Sequence, residues 1–259
     1  MGIIYFFVAL FATTVGALAG LGGGVIIKPS LDLLCQNGIG NFDITTISLL
    51  STFTVFSMAV VSIYRQIKSG FKIEKQLVFL ALGAIIGGVL GKSLFSLLIN
   101  GVPELLASGI QALILAALLV IVLFKKYLPD YHVKNSIIVL IVGLCLGTTA
   151  SFLGIGGGPI NVAVIMMFLN MDIKKAAVAS VFTILLSQFS KIITFAVTSG
   201  FSSFDLTMLY YMVPAAIAGG LIGSQLNKHL SHDHIETIFN VLVALLIGLN
   251  LYNAYGFLM

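Results

Sequence analysis

Eight apolar segments, each about as long as a bilayer is thick, follow one another along the chain with short polar links between them. They lie at residues 2–19, 43–64, 76–98, 104–124, 136–153, 173–198, 205–226 and 235–256. About 20 apolar residues in a helix cross the hydrocarbon layer. Because lipid offers the backbone no hydrogen-bond partners, such segments cross the membrane as helices. We therefore predict an all-α integral membrane protein.

The composition agrees with this class and excludes several others. Hydrophobic residues make up 59% of the chain and charged residues only 8%. The net charge of +4 is ordinary for a membrane protein, whose Lys and Arg collect in cytoplasmic loops, so it does not indicate a nucleic-acid partner. The sequence contains no metal-ligand spacing, nucleotide-binding loop or catalytic triad. We expect a multi-pass protein of the cell (inner) membrane that is not an enzyme, has no cofactor and has the lipid bilayer as its surroundings.

Two glycine-rich phrases interrupt the apolar pattern, GLGGG at Gly20–Gly24 and GIGGG at Gly154–Gly158. Each should break a helix, because glycine costs about 1 kcal/mol per helical position relative to alanine. Short apolar stretches follow directly, at 25–36 and 159–169. Irregular backbone is tolerated within a membrane only where protein or a water-filled cavity satisfies it. Each phrase therefore marks a place where something polar is held. Tight helix packing is the alternative role of such glycines, and we expect it for GxxxG pairs elsewhere, Gly83/Gly87 and Gly219/Gly223.

The glycine phrases belong to a longer internal repeat. Ser51–Thr54 (STFT) recurs as Ser180–Thr183 (SVFT), and further matches keep the same order. We predict one membrane domain made of two repeats, residues 1–126 and 135–259. Internal repeats of this kind are typical of secondary transporters.

Loop charges indicate how the two repeats are oriented. The first repeat has its positive charges after its second span, at Arg65–Lys75, whereas the equivalent loop at 198–205 has none. The second repeat instead carries Lys174, Lys175 and Lys228, where the first has neither Lys nor Arg. Since positive loops stay in the cytoplasm, the repeats should have opposite orientation.

An inverted arrangement requires an odd number of crossings in each repeat. We therefore predict that each repeat is a helical hairpin broken at the glycines, 2–36 or 136–169, followed by three full spans. Both termini are then extracytoplasmic. A parallel eight-span bundle is the alternative.

The chemistry of the breaks favours an anion. A helix that restarts after glycines presents unpaired N–H groups and about half a positive charge at its N-terminus. Pro159 suits the first position of the second short helix, where a missing N–H is harmless. Lys28, one turn into the first short helix, is costly in a membrane and marks a functional site, unless it snorkels to the interface. Asn161 is the nearby polar residue of the second short helix.

The candidate substrate-binding residues surround the two breaks. They are Gly22, Gly23, Gly24, Val25, Lys28, Ser51, Thr54, Gly156, Gly157, Gly158, Pro159, Asn161, Ser180 and Thr183. The hydroxyls among them could instead bond the backbone of their own helices. Two further lysines, Lys92 and Lys191, lie near predicted span ends, and we expect both to snorkel. Asp43 and Asp172 are expected to be helix N-caps.

The doubled G-[LI]-G-G-G phrase, the proline after each copy and the chain length resemble the TauE/SafE sulfite exporter family of membrane permeases. The resemblance covers the whole chain and implies movement of sulfite, thiosulfate, sulfonates or related small organic anions. The matching residues are Gly20, Gly22, Gly23, Gly24, Pro29, Gly154, Gly156, Gly157, Gly158 and Pro159. Pro159 follows its glycines directly, whereas Pro29 stands further on, so the two sites need not be equivalent.

We therefore expect a secondary transporter that binds a small anion, a sulfur oxyanion or organosulfonate such as sulfite or thiosulfate, and moves it by alternating access. The sequence leaves open a coupling ion, proton or sodium, and a homodimer. An anion channel is one alternative. A membrane thiol redox carrier is another, and it would need Cys35 and Cys145 to approach within about 7 Å between their Cα atoms.

Overall fold

The protein is all-helical in the part of the chain that its structure, a computed structural model, describes: residues 2–124, 131, 133, 135–153 and 157–258. These residues form ten helices and no strand. The helices are α1 Gly2–Ala19, α2 Gly24–Gln36, α3 Ile44–Lys68, α4 Lys75–Gly101, α5 Glu104–Leu123, α6 Ser136–Leu153, α7 Gly158–Leu169, α8 Ile173–Thr198, α9 Leu209–His229 and α10 His232–Leu258. Eight of them are long and apolar enough to cross a membrane. The two short ones, α2 and α7, follow the glycine phrases. The predicted fold class is confirmed.

Helix boundaries follow the apolar segments closely except at α9. This helix begins at Leu209, later than the apolar segment that starts at 205. The carboxylate Oδ1 of Asp205 accepts hydrogen bonds from the backbone N–H (3.0 Å) and the hydroxyl (2.6 Å) of Thr207. This local turn competes with helix for the same backbone groups and delays the start of α9.

Asp43 and Asp172 are the N-caps of α3 and α8, as predicted. Oδ1 of Asp172 accepts from the backbone N–H groups of Lys174 and Lys175, both at 3.1 Å. Partial burial acts to raise the pKa of Asp172. Hydrogen bonds from Lys175 and the charges of Lys175 and His232 outweigh this effect, so the pKa lies below its usual value.

Glycines bring the long helices into backbone contact. Gly83 and Gly87 of α4 face α6, and a Cβ on Gly87 would overlap the backbone of Leu144. On α9, Gly219 and Gly223 face α1 in the same way. The tight packing predicted for these two glycine pairs is confirmed, and it holds α4 on α6 and α9 on α1.

The packing pattern joins the two predicted repeats. Helix α1 packs mainly on α9, and α6 packs mainly on α4, so the first helix of each repeat lies against a helix of the other. Helices α3 and α8 pack on each other, as do α5 and α10. If α1–α5 are matched in order with α6–α10, each of these helix pairs corresponds to another pair in the same set or to itself. The inverted orientation of the repeats stays a prediction.

Candidate functional site

The first break separates α1 from α2. Three of its glycines have positive φ, a conformation that residues with a Cβ adopt only with strain: Gly20, Gly22 and Gly23. The first hydrogen bonds of α2 run from the N–H groups of Ile26 (3.0 Å) and Ile27 (2.8 Å) to the carbonyl of Gly23. The N–H groups of Gly24 and Val25 therefore precede the helical ladder and have no partner within it.

The second break precedes α7. Gly154, Ile155 and Gly156 lie outside the described residues, so the predicted site residue Gly156 is not placed. Gly157 has a φ of +71°, and the N–H of Asn161 donates to its carbonyl at 2.9 Å. Pro159 lies in the first turn of α7, as predicted. Its missing N–H removes one of the groups that a helix start would otherwise leave unpaired.

The two breaks are in direct contact. Gly158 lies against the backbone of Leu21, and a Cβ at this position would overlap the Leu21 carbonyl. The hydroxyl of Ser180 on α8 donates to the carbonyl of Gly20 at 2.6 Å and lies 3.3 Å from the carbonyl of Gly158. One side chain thus connects both breaks, at a buried point where the predicted repeats meet.

Lys28 is buried in the interior and caps a helix. Its ammonium donates to Oε1 of Gln111 and to the carbonyl of Leu153 (3.2 Å), the last residue of α6. Gln111 also donates to the carbonyl of Phe152 at 2.6 Å. The snorkelling alternative for Lys28 is therefore wrong. The positive charge lies at the negative end of α6, immediately before the second break.

Lys191 is a buried lysine that was not among the candidate site residues predicted from the sequence. Its side chain is only 2% exposed, and its ammonium donates to the hydroxyl of Ser48 on α3 at 2.7 Å. The predicted snorkelling is wrong, because the side chain enters the interior and bonds another helix instead of extending to the end of α8. Within the described residues no carboxylate pairs with it, and the charges that act on it are those of Lys28 and Lys92.

A sequence signal for Lys191 does exist. It continues a polar face of α8 at helical spacing, the residues being Ser180, Thr183, Ser187, Gln188 and Lys191. A lysine at the end of such a polar face is expected to point into the protein interior and not to the membrane surface.

Lys92 differs from Lys191. Its ammonium bonds the hydroxyl of Thr198, the last residue of α8, and lies 4.6 Å from the ring centroid of Phe195. It therefore points toward the end of a span, the direction expected of a snorkelling lysine, although only 7% of its surface is exposed.

The polar side chains near the breaks divide into two groups. Thr54 donates to the carbonyl of Leu50 (2.6 Å) and Thr183 to that of Ala179 (3.0 Å), so both hydroxyls bond their own helices. Ser51 is buried on α3. By contrast, the amide oxygens of Asn161 and Gln188 are buried without a hydrogen-bond partner. An unsatisfied buried amide is costly and calls for a partner that the protein itself does not supply.

Two cavities lead toward Lys28. The outer cavity, of about 360 Å³, opens beside the link between α2 and α3; its polar lining is Asp32, Cys35, Gln36, Asn41, Asp43 and Ser108. The inner cavity, of about 10 Å³, is lined by Lys28, Asp32, Ser108, Gln111, Leu153 and Asn250. Asp32 and Ser108 belong to both linings. These two residues therefore separate the opening from the ammonium of Lys28.

The described residues include no group of three or more side chains suited to a metal ion. Both cysteines are free thiols: Cys35 is half-buried in the outer cavity, and Cys145 is exposed on α6. The thiol redox carrier gains no support from these positions.

Comparison with known proteins identifies the family. The sequence profile described as Sulfite exporter TauE/SafE matches residues 5–251. The chain is 28% identical to the "Probable membrane transporter protein YunE" of Bacillus subtilis (strain 168), with 96% of each chain covered. No solved structure gives a significant match. With eight helices able to cross a membrane, this multi-pass protein belongs to the sulfite exporter TauE/SafE family of membrane transporters.

Proposed function

We propose that this protein is a secondary transporter that binds a small anion, a sulfur oxyanion or organosulfonate such as sulfite or thiosulfate, where its two glycine breaks meet. The observation that carries this proposal is that Lys191 is buried without a carboxylate partner among the described residues.

A buried ammonium needs compensation. Removing one from water costs several kcal/mol unless an opposite charge and hydrogen bonds offset it. Lys191 has one hydroxyl partner, and the charges that act on it, those of Lys28 and Lys92, have the same sign. Of these three lysines, only Lys28 has a carboxylate nearby in the part of the chain that the structure describes, that of Asp32. A bound anion would supply the missing negative charge.

The breaks add hydrogen-bond donors to this positive field. The N–H groups of Gly24 and Val25 lie at the positive end of α2, and α7 starts at Gly158 in direct contact with the first break. The glycines let the two breaks pack closely on each other and on α8, because neighbouring atoms occupy the space that a Cβ would need. The amides of Asn161 and Gln188 can present either an oxygen or an NH₂ group to a ligand after rotation.

The proposed site thus keeps every residue predicted from the sequence and adds Lys191. Ser180 fixes the distance between the breaks, and Lys28 holds the end of α6 while its charge contributes to the same positive region. Ser51 and Thr54 lie on α3 and Thr183 lies on α8, the two long helices that follow the breaks.

The transport mechanism is part of the proposal. The chain has no ATP-binding motif, so a gradient of the substrate or of a coupling ion would drive transport. Two repeats of opposite orientation would open the site alternately to each side, with both termini extracytoplasmic. A channel is the competing function, and it differs in one measurable way: it cannot accumulate the anion against a gradient.

The test is a binding and flux panel on the purified protein in liposomes, using sulfite, thiosulfate, sulfate, taurine and sulfoacetate. We expect saturable binding of at least one anion and its loss in Lys191→Met. Lys92→Met is the matched control, because it removes a second buried lysine whose partners lie at the end of α8. The proposal fails if no anion binds, or if both variants bind like the parent. Uptake only down the gradient would support the channel.

A further inference from the structure

Building on the proposed anion site, we propose that Asp32 is the proton-binding residue of the transporter, and that a proton on its carboxylate frees the charge of Lys28 for the anion. The coupling ion of this transporter would then be a proton.

Asp32 lies between the two cavities. It is 9% exposed and lines both the outer cavity, which opens at the link between α2 and α3, and the inner cavity that contains Lys28. The inner cavity has room for about one water molecule. A proton that passes through the outer cavity toward Lys28 therefore reaches the carboxylate of Asp32, the carboxylate that lines both cavities.

Four titratable groups lie near Asp32 among the described residues, on α1, α2 and the start of α3. Lys28 lies one turn away on α2, so the two side chains face the same side of the helix. Cys35 follows on α2, Asp43 caps α3 at the rim of the outer cavity, and Tyr5 of α1 donates to the carbonyl of Ile39 at 2.9 Å.

The described side chains that α5 and α10 place at the inner cavity are neutral. Helix α5 contributes Ser108 and Gln111, and α10 contributes Asn250. Helix α7 contains no titratable residue. The charges of Lys28 and Asp32 act on each other, and the charge of Lys28 also acts on Lys191.

A proton fits this site better than a metal cation. Metal cations need several oxygen ligands, and a cation here would lie beside the ammonium of Lys28. A proton needs only one carboxylate oxygen. The step is a simple transfer: hydronium in the outer cavity gives its proton to the Asp32 carboxylate, leaving water and a carboxylic acid, while Lys28 keeps its own proton.

The consequence is that the proton and the anion bind together. When Asp32 is ionised, its charge offsets that of Lys28. When Asp32 is protonated, an uncompensated positive charge lies beside the second break, where the anion is proposed to bind. Since coupling between two ligands is reciprocal, the anion must also favour protonation of Asp32. Both would then cross the membrane in the same direction.

Thiosulfate is the probe for the test, because it stays fully ionised near neutral pH and carries no proton of its own. We expect thiosulfate to bind the detergent-purified parent more tightly as the pH falls, by a factor in the range of about 5 to 150 that is common for coupled ligands. In liposomes that contain a pH dye, an inward thiosulfate gradient should acidify the interior.

The decisive variant is Asp32→Asn, which mimics the protonated carboxyl. We expect it to bind thiosulfate tightly at every pH and to exchange thiosulfate across the membrane, but to move no protons. Asp43→Asn is the matched control. It removes a carboxylate from the same outer cavity, and asparagine serves as an N-cap as well as aspartate does, so this variant should behave like the parent.

The outcomes separate the two proposals. If the parent binds and transports none of the anions in the panel, the proposed function fails and the coupling has no basis. If the parent transports thiosulfate without a pH change, or Asp32→Asn still moves protons, only the proton site is overturned. Should Asp32→Asn fail to fold, the pH measurement on the parent still decides the question.

Discussion

Replacing Lys191 with methionine separates a functional lysine from a structural one. The two side chains have similar length, so the substitution removes the charge and keeps most of the volume. A structural lysine should leave the protein less stable when it is removed. A lysine held in place for an anion should leave the empty protein at least as stable and should weaken only the binding of the anion.

The contacts of Lys191 determine how much the substitution should change the stability of the protein. Methionine loses the hydrogen bond of 2.7 Å to Ser48, worth about 1.5–3 kcal/mol for a charged donor. It also removes an ammonium whose burial costs several kcal/mol and which lies in the field of two other lysines. We therefore expect a melting temperature equal to or above that of the parent, by about 2–4 °C per kcal/mol gained.

Anion binding should change in the opposite direction. A charge-assisted hydrogen bond from Lys191 to a bound oxyanion is worth about 1.5–3 kcal/mol, so its loss weakens binding by a factor of about 10 to 150. Thermal unfolding in detergent, with and without thiosulfate, measures both quantities on one sample, since a ligand raises the melting temperature according to its affinity.

One result would refute this reasoning. If Lys191→Met melts well below the parent and still gains the same stabilisation from thiosulfate, Lys191 is a structural residue and its burial has another cause. Lys92→Met should lose much less thiosulfate stabilisation than Lys191→Met, because the ammonium of Lys92 bonds Thr198 and lies beside the Phe195 ring instead of contacting the anion.

Three further substitutions test the contacts at and near the breaks. Gly158→Ala drives a Cβ into the backbone of the first break, and we expect thermal melts to show a loss of stability of about 1–3 kcal/mol or more. The control is Gly248→Ala, which has open space around it and should not destabilise the protein. Equal melting temperatures for the two variants would contradict the contact between the breaks. Ser180→Ala should cost about 1–3 kcal/mol by leaving a buried carbonyl unpaired, against little for Ser187→Ala, whose hydroxyl bonds its own helix. Asp172→Ala should lose about 0.5–2 kcal/mol of capping at neutral pH. Because the pKa of Asp172 is lowered in the folded state, the parent's advantage should fade as the pH falls below about 4, and a gap that persists at that pH would argue against the cap.

The helices and the positions of the two breaks could be predicted from the sequence because both follow from local chemistry. Apolar length determines a span, and glycine runs determine where a helix must stop. The start of α9 could not be predicted from hydropathy, since the turn at Asp205 depends on a hydrogen bond to Thr207 rather than on polarity.

The charged residues of the site were harder to predict because their environment is set by other helices. Lys191 lies near a predicted span end, where snorkelling is the ordinary outcome. Its burial depends on Ser48, far away in the chain. The role of Lys28 at the end of α6 similarly depends on Gln111 and Leu153, which no spacing rule connects to it.

The packing of α1 on α9 and of α6 on α4, between the two predicted repeats, has a consequence for how the chain is made. Helix α1 packs on α9 through Gly219 and Gly223, and the side chain of Asn227 donates to the carbonyl of Leu18 across 209 residues of sequence. Helix α1 must therefore wait in the bilayer until almost the whole chain has been synthesised before it finds its partner. Contacts of such long range slow folding, and an isolated first repeat would expose the glycine-lined surfaces meant for the second. During biosynthesis, the vulnerable species is the half-completed chain, which is where we expect membrane chaperones and proteases to act.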